Sequence, residues 1–276
     1  MIRVNTATGS VAARRRFTNA PVATTLAAGS LWVTTTAGNR ATLWRLDPRS
    51  LVIRTEQRLP TSPNNEGIAG SLAVAGARLW IGTGLIDGVS LRTGRVDRVI
   101  IPSHKGPVQL EADSTGWVLL ASIGYAHPTY IVRLNPETGR PLAQLTIPKS
   151  NSQPNIGGIL DGGAWIENSV GSHTSVWRIN VRTMKTARTS TWAAPSSRIS
   201  VRAIDAVLWV TEAVGENNLN YCANPVSGRP LVRLPLLRGN SVFLTANETS
   251  FFYTDVPINA HEVKLETAPT SRECTS

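Results

Sequence analysis

A short apolar strand with an aromatic ring at its centre recurs down the chain, and no other feature restricts the fold as much. The copies read GSLWVTT around Trp32, ARLWIGT around Trp80, STGWVLLA around Trp117, GGAWIEN around Trp165, AVLWVTE around Trp209 and TSFFYTD around Phe252. Successive rings stand roughly 37 to 48 residues apart, a blade-sized period. Between them runs a second motif, for example LWRLDPRSLVIRTEQRLP from Leu43 and IVRLNPETGRPLAQLTIP from Ile131. Each copy is an alternating run, a turn built from Asp or Asn with Pro, Thr or Gly, and another alternating run. That is the signature of a β-hairpin. The Asp or Asn opens the turn because its side chain can accept hydrogen bonds from the amides that follow. A further short strand precedes each aromatic one, as VQLEAD precedes Trp117. No segment of helix length shows a 3.6-residue period.

One period therefore holds four short antiparallel strands. The expected fold is all-β: a β-propeller of four-stranded antiparallel blades, with residues 1–276 forming a single domain. The aromatic rings would fill the space between adjacent blades, each contributing roughly 2–3 kcal/mol through the apolar area removed from water. Six aromatic strands stand against seven hairpin copies, because the N-terminal IRVNTATGSVAARRRF is also a hairpin copy. This surplus predicts six blades closed by GSVAARRRF as an N-terminal outer strand, or seven blades if an inner strand pair has been lost upstream.

The chain of 276 residues is 41% apolar, enough for a large core. It has eight Trp against four Tyr and four Phe, which fits Trp at fixed structural stations. The formal charge is +10, and of 28 basic residues only Lys105, Lys149, Lys185 and Lys264 are lysine. Apart from Arg14, Arg15 and Arg16, the arginines are spread along the chain. Nucleic-acid binders concentrate charge on one face, so no nucleic-acid partner is expected. No 18-residue apolar run and no apolar signal core occur, so no membrane segment is expected. The chain reads as a monomer and as the extracytoplasmic part of a longer protein. Cys222 and Cys274 form one disulfide that ties the chain's end to an interior segment, or remain two separate thiols.

Ligands of such a scaffold sit at one mouth of the central channel, among loops that precede the innermost strand and follow the second. Glu66, His104, His127, Glu167, Arg198, Glu212 and Asp255 fall there, with Lys105 and Arg238 nearby and Glu111 and Arg202 on inner strands. Glu167 and Glu212 follow equivalent Trp strands in adjacent blades. They are either a pair that holds Mg2+ or Ca2+ with backbone carbonyls, or solvated carboxylates in a protein that needs no cofactor. His127, between Tyr125 and Tyr130, suits a general base, a stacking surface or a simple exposed loop. No GxSxG elbow, HExxH helix or P-loop is present. The expectation is a non-catalytic module that binds a small molecule or a protein at the propeller mouth.

The alternation of LWVT with Arg-Leu-Asp-Pro and Arg-Leu-Asn-Pro segments resembles the bacterial YVTN-type propeller repeats. It is also similar to the virginiamycin B lyase family, whose repeats pair a Trp-Phe-Thr-Glu-like strand with an Ile-Gly-Arg-Ile-like one. The likeness runs through nearly the whole chain, and Trp209-Val210-Thr211-Glu212 comes closest to the lyase strand. That likeness implies, as the alternative function, a magnesium-assisted elimination that opens a macrocyclic peptide lactone. The Trp repeat by itself also resembles quinoprotein propellers, which are larger and hold a cofactor disc.

Overall fold

The computed structural model describes residues 1–4, 10–19, 21–38, 40–60, 71–82, 85–100, 108–113, 116, 118–122, 129–147, 154–170, 173–193, 199–204, 207–214, 217–224, 227–228, 230–233, 237–238, 240–246, 251–256 and 265–268. Contacts divide the chain into two compact units, Met1–Pro148 and Lys149–Ser276. Every element described is a strand or a turn.

The first unit opens with β1 (Ile2–Val4) and β2 (Val11–Arg14), a two-stranded sheet. Three four-stranded meanders follow. The first sheet is β3 (Pro21–Ala27), β4 (Ser30–Ala37), β5 (Arg40–Leu46) and β6 (Ile53–Arg58). The second is β7 (Ser71–Ala75), β8 (Arg78–Gly82), β9 (Ile86–Ser90) and β10 (Val96–Ile100). The third is β11 (Val108–Ala112), β12 (Val118–Ser122), β13 (Thr129–Leu134) and β14 (Pro141–Ile147).

The second unit starts with a fourth complete meander, β15 (Asn155–Leu160), β16 (Gly163–Val170), β17 (His173–Asn180) and β18 (Lys185–Ala193). The fifth sheet has β19 (Ile199–Ile204), β20 (Val207–Val214), β21 (Asn217–Ala223) and β22 (Pro230–Arg233), and β23 (Leu237–Arg238) also pairs with β21. The sixth has β24 (Asn240–Ala246), β25 (Phe251–Val256) and β26 (Leu265–Ala268).

The count departs from the six or seven blades expected. Four sheets have the complete four-stranded form. The fifth gains a short strand because β21 runs past β22 and offers Asn217 and Asn218 to Arg238 and Leu237. The sixth has three strands among the described residues. The N-terminal copy also departs from expectation. Val11–Arg14 pairs with Ile2–Val4 as a hairpin of its own, clamped by Met1 N donating to Arg15 O at 2.8 Å and Arg15 N to Met1 O at 2.9 Å. Met1, Ala13 and Phe17 then pack on Val33, Trp44 and Leu46 of the first sheet. One apolar face of a two-stranded ribbon is too little for independent stability, so it borrows this surface.

The turns explain themselves locally. Asn135 Oδ1 accepts from the amides of Glu137 and Thr138, both at 2.9 Å, and Asn180 Oδ1 from those of Arg182 and Thr183. Asp47 does the same with Arg49 and Ser50 and adds the Arg54 guanidinium. The Ser50 amide first, then Arg54 and the Arg49 amide, hold the Asp47 carboxyl well below the usual carboxylate range.

The Trp stations are buried as expected: Trp32, Trp80, Trp165 and Trp209 expose at most 3% of their surface. Trp117 lies outside the described residues, and Phe252 is placed on β25 by its backbone alone. Trp32, Trp80 and Trp165 each meet the hairpin turn of the following sheet. A methyl group on Gly94, in the β9–β10 turn, would lie 3.6 Å from the Trp32 ring. Trp80 Nε1 donates to Pro136 O in the β13–β14 turn. A methyl group on Gly228, in the β21–β22 turn, would lie 3.2 Å from the Trp165 ring. Side chains of consecutive sheets close the space between them. Trp32, Leu43, Leu79 and Ile81 join the first sheet to the second, and Trp80, Leu110 and Val132 the second to the third. Trp165, Val201, Leu208 and Val210 join the fourth to the fifth.

Candidate functional site

At the inner edges the sheets approach so closely that side chains must be absent or polar. A Cβ on Gly82 would stand 2.5 Å from Val108 O, and one on Gly157 2.3 Å from Val201 O, so only glycine fits. Beside each glycine a polar group ties one inner strand to the next. In the first unit, Ser71 Oγ of β7 accepts from Leu110 N of β11 at 2.9 Å and donates to Val108 O at 3.2 Å. In the second unit the tie is Glu167. It projects from β16, with one oxygen accepting from Val201 N of β19 and the other from Asn155 Nδ2 at 3.2 Å. Burial pushes the Glu167 carboxyl up. The Val201 amide, Asn155, the Arg202 charge and the Ser200 hydroxyl pull the other way.

Glu167 is thus a brace between sheets, with both oxygens engaged. Glu212, its suggested partner, is half-buried on β20 opposite Ile199. Strand alternation separates their settings. Glu167 stands two residues after Trp165 and shares its face, whereas Glu212 stands three after Trp209 and shares the face of Val210. The described residues contain no group of three or more His, Cys, Asp and Glu arranged to hold a metal ion.

The other candidates are less well placed. Glu66, His104, Lys105, Tyr125, His127 and Arg198 lie outside the described residues. Asp255 is fixed by its backbone on β25, opposite Ser241, and Arg238 on β23, opposite Asn217. Glu111 of β11 is half-buried, and Arg202 of β19 is exposed with one guanidinium nitrogen on Val201 O at 3.2 Å. Cys222 is fully buried and disulfide-bonded, and the chain's other cysteine, Cys274, lies outside the described residues. No described helix is long and apolar enough to cross a membrane.

Sequence reasoning missed two features. The inter-sheet roles of Ser71 and Glu167 were hidden because a polar residue near a strand end looks like any loop residue. The second is a cleft on the first sheet between β5, β6 and the segment Thr18–Asn19. Its signal was the arginine pair Arg40 and Arg58, which looked like two of many scattered cations.

No protein-family model and no curated protein matches the sequence. Among solved structures, hydrazine synthase from Kuenenia stuttgartiensis is similar over 85% of this chain and 73% of its own, with a TM-score of 0.65 at 15% identity. The quinohemoprotein alcohol dehydrogenase ADHIIG from Pseudomonas putida HK5 is similar over 76% of this chain with a TM-score of 0.51 at 12% identity. This chain spans 41% of that protein's length. Both neighbours are β-propeller proteins. The fold here is that of a β-propeller. At such identities the likeness concerns the fold alone, and one propeller scaffold serves unrelated activities. The propeller nonetheless explains the meanders: a four-stranded sheet with two apolar faces is stable only when stacked between others.

Proposed function

We propose that this propeller is a non-catalytic binding module for a small molecule or a protein, working as a monomer. We further propose that it is one domain over residues 1–276 and serves as the extracytoplasmic sensor or interaction part of a bacterial protein of YVTN type. The observation that carries the binding reading is the use of Glu167. The lyase alternative needs acids free to hold a cation, and Glu167 is spent on Val201 N and Asn155. A buried carboxylate held this way is a structural fastener, costly to release because a buried amide would lose its partner. Sheets packed on one another within each unit leave recognition to loops and rims, where binding residues concentrate on such scaffolds.

The test pairs two measurements on the full chain. A thermal-shift screen of small metabolites is expected to show saturable stabilisation by a ligand class. Incubation with Mg2+ and a macrocyclic peptide lactone, followed by mass spectrometry, is expected to leave the ring closed. Magnesium-dependent ring opening that disappears in Glu212→Ala would overturn the reading in favour of the lyase.

A further inference from the structure

The first sheet carries a cleft of about 650 Å3 beside the strap that leads from the N-terminal hairpin into β3. Alternation puts Arg40, Thr42 and Trp44 of β5 on one face. Register sets Arg58 of β6 opposite Thr42 and Glu56 opposite Trp44, so all five share that face. Arg40 is diagonal to Arg58, which separates their Cβ atoms by roughly 7–8 Å. Both guanidinium groups are exposed, and among the described residues neither they nor Glu56 enter an ion pair. Like charges so placed repel each other unless an anion lies between them. The planar forks of two arginines match the oxygens of a carboxylate or phosphate.

The rest of the cleft supplies an apolar surface held in place. Trp44 Nε1 donates to Thr35 Oγ1 at 2.9 Å, and Phe17 meets the Trp44 ring edge-on with centroids 5.5 Å apart. Buried Ala41 and Leu59 line the cleft, linked by Leu59 N donating to Ala41 O at 3.0 Å.

We propose that this cleft binds a small organic oxyanion, a carboxylate or phosphate on a flat apolar body. Arg40 and Arg58 grip the oxyanion and the body lies against Trp44. Glu56 repels a second negative charge, so the ligand carries one anionic end. The inference rests on the binding reading and gives it a place and a ligand chemistry.

Isothermal titration of the full chain with phenyl phosphate, benzoate and inorganic phosphate tests it. Saturable binding of at least one aryl oxyanion is expected, tighter than inorganic phosphate. The stronger of phenyl phosphate and benzoate identifies the anion. Arg40→Gln and Arg58→Gln should each weaken binding about tenfold, the scale of one charge-assisted contact. Trp44→Leu should erase the advantage of the aryl ligand over inorganic phosphate, and circular dichroism would establish that each variant is folded. No binding of either aryl anion, or affinities unchanged in both arginine variants, overturns the proposal. A ligand found elsewhere by thermal shift would then keep the binding reading alive. Lactone turnover would defeat that reading whatever the cleft binds.

Discussion

Glu167 shows how one side chain can be read two ways. In sequence it is an acid after a Trp strand, a plausible cation ligand. In the fold it accepts from Val201 N and Asn155 Nδ2 across a sheet junction. Its titration has a definite sign. Burial raises the folded-state pKa above the ordinary Glu value of about 4.3. The stabilisation gained by the protonated form is therefore complete below the unfolded value and is lost as pH rises through the folded one. Glu167→Gln keeps an acceptor for Val201 N and removes the charge. Unfolding midpoints of the variant measured from pH 4 upward should fall less steeply than those of the wild type. Glu167→Ala orphans a buried amide and should cost about 1–3 kcal/mol at low pH, and less as pH rises, because only the wild type loses the carboxyl's contribution. Parallel pH profiles for wild type and Glu167→Gln would show that the carboxyl does not titrate as described.

The hairpin turn is the element that couples one sheet to its neighbour. The β13–β14 turn is shaped by Asn135, and it presents Pro136 O to Trp80 and both the Glu137 carbonyl and carboxylate to Arg78. Asn135→Ala should therefore loosen two sheets at once and lower stability by about 1–2 kcal/mol, read from the urea midpoint. Asn135→Asp should restore it near neutral pH. That rescue should fade in acid, because a turn carboxylate with a depressed pKa, as at Asp47, contributes above its unfolded pKa and stops contributing as pH falls through the folded one. An alanine variant as stable as wild type would show that the turn does not need its side-chain acceptor. These turns were legible in the sequence because each repeats an Asx residue at the same place between alternating runs. The identity of a strand's partner was not. Alternation shows which face of a strand is apolar, but it does not say whether Val11–Arg14 joins a neighbouring blade or folds back on Ile2–Val4. The cleft was hidden for a related reason, since Arg40 and Arg58 meet only through the register of β5 with β6.

At the scale of the molecule, a propeller behaves as a row of units, each stabilised by the next. The N-terminal hairpin is the cover of the first sheet, and its outer side still exposes Ile2 by 53% and Val11 by 43%. Deleting residues 1–16 should bare the surface around Val33, Trp44 and Leu46, lower the melting temperature and shift Trp fluorescence to the red. An unchanged melting curve would show that this ribbon is an ornament on the sheet beneath it.

The indole contacts have a direction. Trp32, Trp80 and Trp165 each rest on the hairpin of the sheet that comes later in the chain, and for Trp80 the partner carbonyl is 56 residues further on. During synthesis on a ribosome, every such ring emerges well before the backbone that shelters it. Within each unit, the sheet that carries such a ring then stays sticky until its successor has been made. A pause in translation just after a Trp strand would leave an oily wedge waiting for its lid.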